Sequence, residues 1–369
     1  MIDSGSIVIR LANDDDKLDV CNLLKLLGLQ IPDEPAKIDS LWNKLWNDNP
    51  FYEYFDVPIT YGWVMEHDKK IVGFFGSIPR VYQWNNELIP VSIAGLWGVE
   101  KEFRHFTHLL CNKFFNDNPI DLKLVTTAIK PTGRIFEKYN GQKVPLPQLD
   151  IVQMIPINLS KLLHFKLSNR RIFMPLVKLS GLLNHIWKLQ FYTLKKNKYI
   201  EEISLDNLPE TTDSFLAKLE NDRDGIIAHR TKEIFQWFYK SNAKNYKFRL
   251  FFYIKDNNTL GYISMLTESI NNSPVIQRCK IIDLVGVDDQ IKKSLVKEVL
   301  RISFKSNLDL IEIHLGGMIK REHIPGIAFQ RKYTNFPLYY QTNDAILNQN
   351  LQKNDSWNIM SFDGDTCLG

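Results

Sequence analysis

Several things the chain lacks narrow its chemistry at once. Its four cysteines, Cys21, Cys111, Cys279 and Cys367, lie far apart, with no Cys-x-x-Cys pair and no histidine at ligand spacing. That excludes a disulfide framework and a zinc ribbon, and points to a reducing compartment. No run of about 18 apolar residues occurs, so no span of a membrane is expected. The opening residues lack a basic stretch followed by an apolar one, so no secretory signal is expected and the cytoplasm is the expected location. Charge of one sign is missing too: 46 Lys and Arg against 42 Asp and Glu leave +4 over 369 residues. A dedicated nucleic-acid binder would carry a much larger basic excess. No Ser-His-Asp elbow and no metal-ligand cluster is visible, so neither metal nor nucleic acid is an expected partner.

What is present is an ordinary globular composition, 44% hydrophobic and 24% charged, in a length that suits two domains. An internal repeat organises it. VMEHDKKIVGFFGS from Val64 and FYIKDNNTLGYIS from Phe252 both read strand, polar turn, strand, and their glycines Gly73 and Gly261 are 188 residues apart. The same offset relates LWGVE at Leu96 to LVGVD at Leu284, and DLKLVTTAI at Asp121 to DLIEIHLGG at Asp309. Between them lie helical patterns at His108 and Ile291. IFEKY at Ile135 is echoed by AFQRKY at Ala328, with a few residues inserted.

Each half therefore reads helix, helix, hairpin, strand, helix, strand, helix. The order predicts an α/β (α+β) class: two tandem domains, each a mixed β-sheet flanked by helices. Asn13, Asp14 and Asp15 are N-cap candidates for a first helix that Gly28 ends, and Asn49-Pro50 stops a second. The expected domains are 1–157 and 206–369, joined by a linker over 158–205. From Asn158 to Ile200 the linker carries nine Lys or Arg and no Asp or Glu. Pro175 divides it into two helical pieces, and Leu179, Leu182, Leu183, Ile186 and Trp187 share a face of the second. One reading is an amphipathic helix packed between domains with its charges solvated. The other is a basic helix contacting an anionic membrane, peripherally at the inner face, or an anionic substrate.

The segment WGVEKEFRHFTHLLCNKFF, Trp97 to Phe115, resembles the strand, loop and helix of the GNAT superfamily of N-acetyltransferases. In that family backbone N–H groups at a helix start hold the CoA pyrophosphate. Here the loop would be Arg104, His105, Phe106, Thr107, His108 and Leu109, with Thr107 and Leu109 where the family has glycines. The element order and the DGDT ending (Asp363 to Thr366) are similar to tandem GNAT-like proteins of bacterial surface-polysaccharide gene sets. The second half has Gln290-Ile291-Lys292-Lys293 at the loop position, so acetyl-CoA is assigned to the first half.

The resemblance implies an acetyl-CoA-dependent N-acetyltransferase acting on the amine of a nucleotide-linked amino sugar, for a surface glycan such as the O-antigen of lipopolysaccharide. A backbone N–H at Trp97, Gly98 or Val99 would polarise the thioester carbonyl. Lys130, Thr132 and Phe136 beyond the next strand complete the cofactor candidates. Phe136 stands where the family's acid tyrosine is found, and Tyr139, one turn on, is the substitute. His108, Asp363 and Asp365 are the remaining catalytic candidates, and His229 and Arg230 the acceptor-binding ones, converging on a cleft between the halves. Two other readings carry different expectations. A Fem-type aminoacyl transferase would insert its basic helices inside the second half. A non-catalytic interaction module would have lost CoA binding in both halves.

Overall fold

A computed structural model gives the fold and describes residues 6–56, 60–126, 128, 130–167, 174–221, 225–242, 247–270, 275–332, 338–360 and 363. In the first half β1 (Ile7–Leu11) leads through α1 (Lys17–Leu26) and α2 (Pro35–Trp42) to β2 (Gly62–His67), β3 (Lys70–Trp84) and β4 (Glu87–Val99). Then come α3 (Thr107–Asn112), β5 (Leu122–Val125), α4 (Lys130–Lys138) and β6 (Gln142–Lys143). The middle of the chain holds β7 (Ile151–Pro156), α5 (Leu159–Leu167), α6 (Met174–Tyr192), β8 (Ile200–Ile203), α7 (Thr212–Asn221), β9 (Ile227–Ala228) and α8 (Lys232–Asn242). The remainder is β10 (Lys247–Lys255), β11 (Asn258–Ile270), β12 (Ile276–Gly286), α9 (Asp289–Lys305), β13 (Leu310–His314), β14 (Phe329–Lys332), β15 (Tyr339–Gln341) and α10 (Ala345–Leu351).

The expected class is found: two mixed sheets flanked by helices. The first sheet runs β1-β2-β3-β4-β5-β15-β6, with β9 pairing to β3; the second runs β14-β7-β13-β12-β11-β10-β8. In each, one parallel pair, β4 with β5 and β12 with β13, interrupts an otherwise antiparallel arrangement. The local chemistry repeats as well. Asp68 and Lys69 turn β2 into β3 with φ of 50° and 64°, and Asp256 and Asn257 turn β10 into β11 with φ of 51° and 58°. Two consecutive left-handed residues make the turn whose twist matches the strands on either side. The side chain of Asn13 accepts from the Asp15 amide, and Gly28, at φ 87°, ends the helical turn after α1, as the sequence suggests.

The offset of 188 slips by one on the sheet itself. Gly73 opposes Val99, whereas Gly261 opposes Gly286. The reason is that the two ladders are bulged at different places. In β4 the residues Leu96 and Trp97 together face Phe75, while in β12 Ile282 is the extra residue.

The two sheets exchange their last strands. β7, from the first half, enters the second sheet between β13 and β14; β15, from the second half, enters the first sheet between β5 and β6. A boundary at 157 therefore divides the chain but not the sheets. Tyr340 of β15 is buried in the first sheet, its hydroxyl donating to Gln142 Oε1 at 3.0 Å. Gly133 of α4 makes room for its neighbour, since a Cβ there would lie 2.8 Å from the Tyr339 ring. One continuous apolar core, from Trp42 and Trp46 through Val81 and Tyr82 to Phe235, Tyr262 and Val296, underlies both sheets. A second cluster around Phe75, Phe114 and Phe136 fills the α3–α4 side of the first sheet.

The linker is an α5–α6 hairpin, and its apolar face differs from the packed one expected. Trp187 turns inward, donating from Nε1 to the Pro156 carbonyl at 2.5 Å. Leu179, Leu182, Leu183 and Ile186 face solvent.

Exchange makes each half dependent on the other. Residues 1–157 expressed alone should lack the strand that bridges β5 to β6 and leave the apolar strand β7 unpaired. Such a fragment is expected to show no cooperative thermal transition by circular dichroism. A sharp transition from the fragment would show that the first sheet closes without β15.

Candidate functional site

The first sheet opens where the GNAT cofactor strand would be. β4 pairs with β5 only from Val91 to Ile93, although β4 continues to Val99. Beyond Ile93 it carries the Leu96–Trp97 bulge, in which Leu96 adopts φ 48°. A non-glycine residue in that region costs about 1–2 kcal/mol, so the surrounding packing has to hold it. It does so from both sides. The Trp97 ring stacks on Phe75 at 4.5 Å, and Phe75 stacks on Phe114 at 4.4 Å. Gly98 lies so close to α1 that a Cβ would meet Leu27 Cδ1 at 2.5 Å. A bulge leaves backbone groups out of the ladder and available to a ligand. Leu96, Trp97 and Gly98 are half-exposed, while Leu284, Val285 and Gly286 of β12 are buried.

After β4 the chain forms a single-turn-like 3₁₀ segment, Lys101–Phe106, then α3, then a π-helical turn, Lys113–Asp117. Arg104, His105 and His108 are exposed, Thr107 and Leu109 are half-buried, and Phe106 is buried. Nδ1 of His108 lies 3.0 Å from the His105 carbonyl. A neutral ring donating there leaves Nε2 as an acceptor. Lys130 is exposed and Thr132 half-exposed at the start of α4. Phe136 is fully buried against Phe115, 4.8 Å between ring centres, so its side chain belongs to the core and is not available to a cofactor. The Tyr139 hydroxyl donates to Asn112 Oδ1 at 2.6 Å, and burial with nearby Cys111 raises its pKa. Its proton is thus held by α3 rather than offered to a leaving thiolate.

Arg230 and Asp363 do converge, but into a buried ion cluster. Arg230 is fully buried; its NH2 donates to Asp363 at 2.6 Å, its Nε to Asp283 at 3.2 Å, and its NH1 to the Ala228 carbonyl at 2.7 Å. Tyr262 donates to Asp283 at 2.5 Å, Tyr82 to the Asp363 carbonyl at 2.8 Å, and the Met360 amide to Asp363 Oδ2 at 2.6 Å. Burial works against the guanidinium charge, but Asp283 and Asp363 outweigh it and keep Arg230 protonated. Asp283 and Asp363 share Arg230, and Arg80 is a further cation near enough to act on Asp363. Burial raises the Asp363 pKa, Arg230 lowers it and Asp283 raises it again, to about 7. Asp363 is consequently a structural ligand of Arg230 and not a solvent-reaching base. Asp365 lies outside the described residues.

His229, next in sequence to Arg230, points the other way. Its Nδ1 is 2.9 Å from the buried Glu220 carboxylate, its Nε2 3.3 Å from the Tyr54 hydroxyl, and its backbone N–H donates to the Val81 carbonyl. Glu220 and Tyr54 were not legible as site residues: nothing in the spacing of a helix-end glutamate and a loop tyrosine signals that they meet a histidine. From Val81 to Phe75, opposite the β4 bulge, is six strand residues, about 20 Å at roughly 3.3 Å each. The His229–Arg230 cluster and the β4 bulge are therefore two separate places. Among the described residues, Asp289, Glu322 and His323 also come together, their ligand atoms within 4.8 Å. Both His323 nitrogens are engaged there, Nε2 with Asp289 at 2.9 Å and Nδ1 with the Lys320 amide at 3.1 Å.

The bulged strand, the parallel pair opening beside it and the helix that follows define a GNAT fold, built twice. No family model matches the chain, and no curated protein sequence matches it. Solved structures do. A GCN5-related N-acetyltransferase from Anabaena variabilis is similar over 90% of this chain and 72% of its own, with 12% identity and a TM-score of 0.56. A conserved protein of Enterococcus faecalis, described as a probable N-acyltransferase, covers 91% and 72%, with 8% identity and a TM-score of 0.57. Saccharomyces cerevisiae N-myristoyltransferase, solved with myristoyl-CoA bound, covers 93% and 80%, with 13% identity and a TM-score of 0.50. Each likeness extends over both sheets.

Two consequences for stability follow from the ion cluster. Arg230→Ala would strand two buried carboxylates and should cost about 3–5 kcal/mol in urea unfolding. The pH dependence has a definite sign. Asp363 binds its proton more tightly folded (about 7) than unfolded (3.8), so its contribution to stability is fully present below about 4 and is lost as pH rises through 7. The stability of the wild type relative to Asp363→Asn should fall over that window and then level off. A flat difference would mean that Asp363 stays charged throughout.

Proposed function

We propose that the chain is an acyl-CoA-dependent N-acyltransferase whose single cofactor site lies in the first half. The observation that carries this is the contrast within the repeat. The bulged Leu96-Trp97-Gly98 is half-exposed, whereas its counterpart Leu284-Val285-Gly286 is buried beside the Arg230 cluster. On this reading the half-exposed strand of the first half supplies the backbone amides that meet a thioester carbonyl. A backbone amide at Trp97, Gly98 or Val99, in or beside the bulge, donates to the carbonyl as it becomes an oxyanion. The pyrophosphate is placed beside the half-buried Thr107, whose amide is bonded to the Arg104 carbonyl, so the Thr107 hydroxyl and the exposed Arg104 and His105 side chains supply the donors and positive charge. The acceptor amine attacks the thioester carbon and loses its proton to Nε2 of His108, and the CoA thiolate leaves unassisted by Tyr139.

The finer reading is that the acyl group is acetyl and the acceptor the amine of a nucleotide-linked amino sugar used in a surface glycan such as O-antigen. The sugar acceptor is supported by the sequence resemblance, and transfer to an amine by the likeness to a GCN5-related N-acetyltransferase and a probable N-acyltransferase.

Isothermal calorimetry with acetyl-CoA, followed by thiol release with UDP- and dTDP-linked amino sugars, tests both levels. Thr107→Asp sets a carboxylate against the pyrophosphate and should weaken binding by about tenfold or more, a difference of about 1.4 kcal/mol. Tyr139→Phe should change turnover by less than about threefold, because the hydroxyl is spent on Asn112. Unaltered affinity in Thr107→Asp would remove the cofactor from this loop. Absence of any CoA binding by the wild type would instead favour the non-catalytic module.

A further inference from the structure

The α5–α6 hairpin carries a feature that acyl transfer does not use. α6 has one docked face. Ser180 meets Ser160 at 2.8 Å, Asn184 accepts from the Leu159 amide at 2.9 Å, Trp187 stacks on Phe329 at 5.9 Å, and Phe191 lies 5.4 Å from Phe304. The spacing 180, 184, 187, 191 is one helical stripe. The opposite stripe is equally apolar, yet it is in solvent: Leu179, Leu182, Leu183, Ile186, Leu189 and Tyr192 are 40–70% exposed. Monomeric soluble proteins rarely leave a contiguous apolar patch of this kind uncovered.

The charges around the stripe select what covers it. Between Asn158 and Ile200 there are nine Lys or Arg and no carboxylate. Lys166, Lys195, Lys196 and Lys198 are exposed, and Lys188 flanks the stripe half-buried. A shallow basin of about 560 Å³ between α5 and α6, lined by Ser160, Lys161, His164, Asn184 and His185, opens beside it. Lys161 is already paired with Asp309 at 2.6 Å, so the exposed Lys166, Lys195, Lys196 and Lys198 carry the charge offered to a partner. A second copy of the chain would bury the apolar stripe but would set two acid-free basic surfaces against each other. An anionic lipid leaflet satisfies both, taking the leucines among its acyl chains and the lysines among its phosphates. Crossing the bilayer is a separate matter: no helix among the described residues is long and apolar enough.

We infer that the α5–α6 hairpin is a peripheral membrane-docking element, with α6 lying in the interface of an anionic leaflet. This inference stands apart from the acyl-transfer reading, since it rests on a different surface.

Sedimentation with vesicles tests it in the full-length protein. Vesicles of equal parts phosphatidylcholine and phosphatidylglycerol should bind the chain, and high salt should weaken the binding. Vesicles of phosphatidylcholine alone should bind little. Combining Lys195→Glu, Lys196→Glu and Lys198→Glu should reduce anionic-vesicle binding by more than about tenfold. Leu182→Asp with Ile186→Asp should do the same while leaving the circular dichroism spectrum and melting temperature unchanged, because both side chains are already in water. Equal and negligible binding to both vesicles would overturn the inference. A concentration-dependent dimer abolished by Ile186→Asp would overturn it too, giving the face to a second copy.

Discussion

The fold turns on a single guanidinium. Arg230 follows β9, a strand of the second half that pairs with β3 of the first sheet, and it reaches Asp283 on β12 of the second sheet. Asp363, close to the C-terminus, closes the cluster from a third direction. Three distant stretches of chain are thus held at one buried point. A buried ion pair adds little compared with a well-packed apolar replacement, but losing one partner is expensive. The cluster is best understood as a device that forbids alternative arrangements of the sheets. Next to Asp283 in the chain, residues 284 to 286 of β12 are buried.

Around this point the duplicated architecture has diverged in a consistent direction. The first sheet keeps a strained left-handed residue, Leu96, and supports it with the Trp97–Phe75–Phe114 stack. Strain maintained by dedicated packing is characteristic of functional positions. The second sheet has moved its bulge to Ile282 and filled the neighbourhood with Arg230, Asp283, Tyr262 and the Trp357–Met360 segment, which hydrogen-bonds to Ile226. Residues 96 to 98 of the first sheet are half-exposed, and residues 284 to 286 of the second are buried. The His229–Glu220–Tyr54 arrangement sits at the seam, oriented by a buried carboxylate and about 20 Å along β3 from the bulge.

Much of this was legible in the sequence because repeats and turns are local. Gly73 and Gly261, the Asp-Lys and Asp-Asn turns, and the alternation of strands and helices give the class and the element order without reference to tertiary contacts. Pairing partners are a different matter. The alternation in IVQMIP suits a strand in either sheet, so nothing in it announces that β7 crosses over. The one-residue slip between β4 and β12 hides behind matching LWGV and LVGV strings, since a bulge changes pairing and leaves the letters alone. Arg230 and Asp363 could be proposed to meet, but burial decides whether such a pair is a site or a clamp, and burial belongs to the fold. For α6 the periodicity showed an apolar face; it did not show that Trp187 and Phe191 would take the inside and leave the leucines outside.

The exchange of β7 and β15 has a consequence for how the chain is made. During synthesis the first sheet cannot be completed when its own half has emerged, because its penultimate strand is encoded some two hundred residues later. Until then β5 and β6 stand as unpaired edges, and such edges invite pairing with other chains. The N-terminal half must therefore wait in an unfinished state while about as many residues again are added, and it is sealed only once Tyr339 to Gln341 leave the ribosome. A chain lacking Tyr339 to Gln341 would leave that edge of the first sheet open.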